Sequence, residues 1–167
     1  LVSDSRTGAT GYTGSRSAGL QLKAAADRTG KPIYLELSSV NPVVILPGAL
    51  RERFDAIVGE FSSSCLMGTG QFCTNPGMIV LLAGDDTERF IAAAAAKFQA
   101  APVGTLLSRG VESALARGIQ ALRAAGATVV VGDTAGGGAG YSHANTLLRV
   151  TGADFLKNPE HLQTEAF

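Results

Sequence analysis

The chain is short of cysteine, of net charge and of long apolar runs, and each shortage excludes a class of protein. Only two of its 167 residues are cysteines, Cys65 and Cys73, too few for a disulfide framework and without the paired spacing of a zinc site. Such thiols fit a reducing, cytoplasmic compartment, where each is either buried or reactive. Lys plus Arg number 14 and Asp plus Glu number 14, so the formal net charge is zero. No overall field then draws the chain to nucleic acid or to an anionic membrane. The longest apolar stretches, such as Met78 to Ala83, fall far below the roughly 20 residues that span a bilayer, and no basic-then-apolar signal segment opens the sequence. His143 and His161 lack an Asp or a second His at ligand spacing and read as surface residues, with no metal site expected.

What is present is apolar and rich in glycine. The composition is 46% hydrophobic and 17% charged, that of a folded globular chain long enough for one domain or parts of two. The 21 glycines follow no three-residue period and cluster between apolar runs, as turn residues do. With Leu1 at one end and Phe167 at the other, both ends are expected to be cuts in a longer protein.

Periodicity gives the organisation. A short strand at Ala9 to Tyr12, a glycine turn, a helix over Arg16 to Arg28 and a strand over Ile33 to Leu37 form a β-α-β unit. A strand at Val43 to Leu46 leads through Pro47-Gly48 to a helix from about Leu50 to Met67. Its Phe54, Ile57, Val58, Phe61 and Cys65 fall at helical spacing, which puts Cys65 on the core face. The loop from Gly68 to Gly77 holds Cys73 and leads into a strand at Met78 to Leu82. Helices follow over Asp85 to Ala100 and from about Thr105 to Ala125, the second expected to bury Leu107, Val111, Leu115, Ile119 and Leu122. Strands at Thr128 to Val131 and Thr146 to Val150 and a helical turn at Ala153 to Asn158 complete the reading. Strands alternating with helices predict an α/β fold, a largely parallel sheet with flanking helices, whose ligands gather at the carboxyl ends of strands.

Glu36 and Cys73 both fall at such places. Cys73 lies in a glycine-rich loop between Gln71 and Asn75-Pro76-Gly77, a setting that exposes a thiol among backbone N–H donors. The competing reading is a buried, inert cysteine in a tight loop; for Cys65 the buried reading is preferred. Glu36 ends an apolar strand, where a carboxylate is either a general base or turned to water. The glycines at 8, 11 and 14 do not form the dinucleotide fingerprint, although Gly14-Ser15 precedes a helix whose N-terminus suits a phosphate. Gly136 to Gly140 reads as a plain loop.

Four segments taken together resemble the aldehyde dehydrogenase superfamily: YTGSRSAG at 12–19, LELSSVNP at 35–42, GQFCTNPG at 70–77 and TEAF at 164–167. Their order and spacing match the family across essentially the whole chain. Within it, SSVNPVVILPGAL and GTGQFCTNPG look most like the α-ketoglutaric semialdehyde (2,5-dioxopentanoate) dehydrogenases. The resemblance implies that residues 1–38 are the C-terminal end of an NAD(P)-binding domain and residues 39–167 an incomplete catalytic domain. It implies Cys73 as nucleophile and Glu36 as general base. Thr13, Gly14 and Ser15 would lie near the cofactor diphosphate, Leu37 would offer its backbone to the nicotinamide, and Glu165 and Phe167 would hold the nicotinamide ribose and ring. Phe72 and Thr74 would flank a small aldehyde substrate. NAD or NADP would be the cofactor, and the full-length parent a homo-oligomer.

Some positions depart from the family pattern. The stretch after the base is commonly Glu-Leu-Gly-Gly, and here it is Glu36-Leu37-Ser38-Ser39. The late Glu-Glu-x-Phe becomes Thr164-Glu165-Ala166-Phe167. The first half of the cofactor domain, with the family's oxyanion-hole Asn and the Lys of the adenine ribose, has no counterpart here. Two other readings therefore stand beside the oxidising enzyme: a non-catalytic or incomplete dehydrogenase-like module, and a CoA-acylating aldehyde dehydrogenase that passes the acyl group to a thiol.

Overall fold

The computed structural model describes residues 1–138 and 140–166, and the chain divides into two compact units, Leu1–Ser39 and a larger one from Val40 onward. The first unit is a single crossover: β1 (Thr10–Thr13), α1 (Arg16–Asp27) and β2 (Ile33–Glu36). The strands run parallel with Thr13 opposite Glu36, the arrangement a helical connection allows and a tight turn does not. Ser15 caps α1 by accepting from the Ala18 N–H, and Gly30 at φ +64 turns the chain back toward β2. Ala26 is fully buried. At Gly19 a Cβ would run into the end of the Leu37 side chain, which would have to shift; glycine lets α1 approach the end of β2 without that shift.

The second unit contains β3 (Pro42–Ile45), α2 (Pro47–Leu66), a 3-10 turn (Met67–Gly70), β4 (Met78–Leu81), α3 (Asp85–Ala100), α4 (Arg109–Ala124), β5 (Thr128–Val131), β6 (Leu147–Arg149), α5 (Gly152–Lys157) and α6 (Pro159–Leu162). Strands β3 and β4 are parallel, Pro42 opposite Met78 and Ile45 opposite Leu81. The core lies between this pair and the facing sides of α2 and α3: Ile45, Leu50, Val58, Phe61, Phe90, Ala94 and Phe98. The Phe61 ring is stacked on Phe98 at 6.0 Å and tilted against Phe90 at 5.6 Å, both within the range of favourable aromatic pairs. Pro47 suits the first turn of α2, and Asp85, Asp86 and Glu88 suit the start of α3. Arg149 on β6 holds Glu88 by two bonds of 2.7 and 2.8 Å, which lowers the Glu88 pKa chiefly through the hydrogen bonds. Both side chains are largely in water, so the pair adds little stability.

The single, largely parallel sheet expected from the strand–helix alternation is not what forms. The described residues make three two-stranded sheets, β1–β2 and β3–β4 parallel and β5–β6 antiparallel. The physical reason for the last is its connection: among the described residues no helix intervenes between β5 and β6, so the loop returns the chain antiparallel. Helix α4 also begins later than expected. Ser108 caps it through the Val111 N–H, leaving Leu107 outside the helix and 85% exposed, whereas Ile119 is buried. His143 is no surface residue either. An isolated bridge from Ala135 to His143 folds the glycine-rich loop onto itself, and only 11% of the imidazole is exposed, 4.0 Å from Asp133.

Among the described residues, no helix is long and apolar enough to cross a membrane. Replacing Phe90 by Ala, which removes a fully buried ring packed against Phe61, should lower unfolding free energy by about 3–5 kcal/mol. Leu156→Ala, at a side chain 77% exposed, should change it by less than about 0.5 kcal/mol. Urea titration followed by circular dichroism checks both.

Candidate active site

In the first unit, the carboxyl ends of β1 and β2 bring five of the expected site residues together. The Gly14 N–H donates to the Glu36 carbonyl at 3.0 Å, so the turn into α1 is tied to the strand that ends in Glu36. Gly14 has φ +154, and a Cβ there would meet the Tyr12 ring. Thr13, Gly14, Ser15 and Glu36 are exposed, and Leu37 is half-buried against Gly19. A shallow cleft of about 350 Å³ is lined by Gly11, Tyr12, Thr13, Tyr34, Leu35 and Glu36. Ser38, at a departure from the family pattern, accepts from the Arg16 N–H at 3.2 Å. With Ser15 on Ala18, two of the orphan amides at the start of α1 are thereby satisfied.

The second unit holds Cys73 between the 3-10 turn and β4. This segment has neither helix nor ladder to satisfy its backbone, and side chains do so instead. Asn41 donates from its amide nitrogen to the carbonyls of Cys73 at 2.8 Å and Asn75 at 3.0 Å. Asn75 donates to the Gly70 carbonyl at 2.8 Å, while its own N–H closes a turn onto the Phe72 carbonyl at 3.0 Å. Gln71 accepts from the Leu107 N–H at 2.8 Å. At the exit the Gly77 N–H donates to the Val40 carbonyl at 2.9 Å, and a Cβ on Gly77 would clash with that oxygen.

Three features of this loop bear on chemistry. The Cys73 thiol is free and exposed. The N–H groups of Cys73 and Thr74 make no hydrogen bond among the described residues. Phe72, half-exposed, lays its ring over Gly68, where φ is +57 and a Cβ would strike the ring; Thr74 is exposed beside it. The other cysteine is the opposite case. Cys65 on α2 packs against the aromatic core and donates weakly to the Pro76 carbonyl at 3.6 Å. Burial pushes its thiol from the ordinary 9.0 up to about 12, because a thiolate there would lose its hydration.

Glu165 lies on the segment after α6, where Gly118 of α4 leaves room for the backbone: a Cβ at Gly118 would meet Ala166 at 2.8 Å and the Glu165 carbonyl at 3.4 Å. Phe167 lies outside the described residues. Asn41, which holds the Cys73 loop, is given no role by the motifs alone. Its signal is the Asn-Pro dipeptide, a turn marker, realised as a left-handed Asn41 at φ 45 directly before β3. Among the described residues no three His, Cys, Asp or Glu side chains are grouped to hold a metal.

Comparison with known proteins places the chain in a family. The model for the "Aldehyde dehydrogenase family" matches residues 1–166. Alpha-ketoglutaric semialdehyde dehydrogenase 2 of Azospirillum brasilense is 44% identical over 116 residues, 68% of this chain and 22% of that protein. Alpha-ketoglutaric semialdehyde dehydrogenase of Acinetobacter baylyi is 39% identical over 87 residues, 51% of this chain and 16% of the relative. The chain thus spans about a fifth of the length of these curated relatives. Among solved structures, the NAD+ complex of an aldehyde dehydrogenase from Bacillus cereus superposes with a TM-score of 0.77 at 20% identity, covering 90% of this chain and 32% of that one.

The contrast between the two thiols is directly measurable. At pH 8, iodoacetamide should label Cys73 at least about tenfold faster than Cys65, as read by peptide mass spectrometry. The raised Cys65 pKa also has a stability signature. The folded chain keeps this proton until about pH 12 while the unfolded chain releases it near 9.0, so its contribution is full below pH 9 and is lost as pH rises toward 12. The wild-type chain should therefore lose more stability across that window than Cys65→Ala, by urea unfolding at stepped pH.

Proposed function

The chain belongs to the aldehyde dehydrogenase family, and from that premise we propose that it is part of an enzyme oxidising an aldehyde to the carboxylic acid with NAD(P)+, with Cys73 as nucleophile and Glu36 as general base. The observation that carries the reading is the Cys73 loop: an exposed thiol held on a clamped backbone, beside two N–H groups without partners among the described residues. Thiolate attack on an aldehyde needs such donors, because negative charge develops on the aldehyde oxygen as the C–S bond forms. Cys65, with its proton held to about pH 12, is unsuited to that role.

The carboxylate of Glu36 then takes the proton from a water that hydrolyses the thioester, returning Cys73 as a thiol. We assign Thr13, Gly14 and Ser15 to the cofactor diphosphate. The exposed turn and the positive end of α1 fit an anion, and the cleft lined by Thr13 and Glu36 lies at the carboxyl ends of the two parallel strands. The cofactor, when bound, accepts the hydride that converts the covalent adduct to the thioester. Leu37 would present its backbone there, Glu165 and Phe167 would hold the nicotinamide ribose and ring, and Phe72 and Thr74 would flank the aldehyde. Residues 1–38 belong in this reading to the cofactor domain and 39–167 to the catalytic domain of a homo-oligomeric parent. Both α-ketoglutaric semialdehyde dehydrogenase relatives support an ω-oxo acid, α-ketoglutaric semialdehyde, as substrate.

In the full-length parent, Cys73→Ala should abolish aldehyde oxidation while leaving cofactor binding intact; retained turnover removes Cys73 from the nucleophile role. Glu36→Gln should lower acid production by at least about a hundredfold. If acyl transfer to CoA survives that change at the wild-type rate, the enzyme is of the acylating type. The assay is NAD(P)H absorbance, with acid and acyl-CoA quantified separately.

A further inference from the structure

We propose that Asn41 is a positioning residue for the Cys73 chemistry: by holding the carbonyls of Cys73 and Asn75, its side-chain amide aims the Thr74 N–H at the oxyanion formed when the thiolate adds to an aldehyde. The proposal rests on the reading of Cys73 as nucleophile.

A primary amide carries two donor hydrogens, and in Asn41 the nitrogen meets two carbonyl oxygens, at 2.8 and 3.0 Å. The first of these belongs to the peptide joining Cys73 to Thr74. In a planar trans peptide the C=O and the following N–H point in opposite directions. Fixing the Cys73 carbonyl toward Asn41 therefore turns the Thr74 N–H away from Asn41, and that N–H has no partner among the described residues. The second bond holds the peptide two residues later, so the pair of contacts restrains the loop against rotation about Cys73. Exposed loops otherwise sample several backbone states, and a donor contributes most when it is aligned before the charge appears.

Asn41 is itself anchored. It directly precedes Pro42, which opens β3 and pairs with Met78 at the start of β4, the strand into which the Cys73 loop runs. Its φ of 45 is a left-handed conformation that Asn tolerates better than most residues. The neighbouring Gly77 to Val40 hydrogen bond at 2.9 Å closes the same junction. A strand start thus carries the amide, and a strand pairing sets its distance from the loop.

The chemistry involved is addition without oxidation. The Cys73 sulfur forms a bond to the carbonyl carbon, the π pair moves to oxygen, and the oxyanion takes a proton from water to give a thiohemiacetal. Alkylation by iodoacetamide uses the same sulfur but creates no oxyanion, since iodide leaves with the electron pair. Comparing the two reactions separates donor alignment from thiol exposure.

The test is the concentration of 4-oxobutanoate that half-protects Cys73 from iodoacetamide in the 167-residue chain, read by peptide mass spectrometry with Cys65 labelling as the gauge of folding. Two variants are compared with the wild type. Asn41→Gly keeps access to positive φ and deletes the amide; Asn41→Asp keeps the shape and replaces the donor by a carboxylate. In both, half-protection should need roughly tenfold more aldehyde, a change well beyond any in the aldehyde-free alkylation rate. Unchanged half-protection in both variants overturns the proposal. So does a loss of protection matched by faster Cys65 labelling in both, which marks general loosening of the fold. Absence of protection in the wild-type chain overturns instead the nucleophile reading on which the proposal stands.

Discussion

The Cys73 loop depends on the exchange of backbone hydrogen bonds for side-chain ones. Between the 3-10 turn and β4 the chain has no helix or ladder, and a backbone left without partners would be either unstable or mobile. Asn41, at the start of β3, and Asn75, within the loop, hold its carbonyls, while Gln71 ties the loop to the segment before α4 by accepting from the Leu107 N–H. The carbonyls of Gly70, Cys73 and Asn75 are held by side chains, while the amides of Cys73 and Thr74 are left available among the described residues. On the proposed reading of Cys73, that asymmetry serves the chemistry as well as the fold. A loop whose acceptors are tied inward presents donors outward, and donors facing outward are what a developing negative charge requires.

The same loop explains why two cysteines eight positions apart differ so sharply. Cys65 ends a helical stripe with Phe54, Val58 and Phe61 and packs against the aromatic core, where burial holds its proton. The 3-10 turn then breaks the helix with left-handed backbone at Gly68 and Thr69, and Cys73 emerges in water. Helical register decides the first case and its interruption the second. The aromatic cluster of Phe61, Phe90 and Phe98 belongs to the same account, because it fixes the helix from which the loop departs.

Much of this was legible in the residues. Among the described residues, period and punctuation mark each helix of more than one turn and the cores of the six strands, since Gly, Pro and capping residues mark their ends. The register of Cys65 followed from helical spacing alone. Sheet assembly was not legible: strands of three or four residues carry little pairing information, and the antiparallel return of β6 depends on the absence of a helix in a loop whose path no local signal states. Leu107 falls outside α4 because Ser108, the next residue, sets the helix start by capping Val111. His143 is not legible as buried because a bridge to Ala135 within a glycine-rich loop brings it in, a contact without periodicity. The contacts of Asn41 are illegible for the same reason: its partners lie more than 30 positions away.

The serines after Glu36 show how a departure from a family pattern can be absorbed. A glycine at position 38 would leave the Arg16 N–H to find another acceptor, whereas the Ser38 hydroxyl accepts from it at 3.2 Å. The end of β2 is thereby bound to the start of α1 by a second link, in addition to the Gly14 to Glu36 bond. Both links act on the backbone that carries Thr13, Gly14 and Ser15, so the turn is made more rigid by the substitution. The same hydroxyl occupies a donor that a phosphate at the helix start would otherwise use. An anion at this turn must then rely more on the helix dipole and the remaining donors than on the Arg16 amide. Rigidity and donor number are thus exchanged at one side chain, and the exchange can be read from a single hydrogen bond.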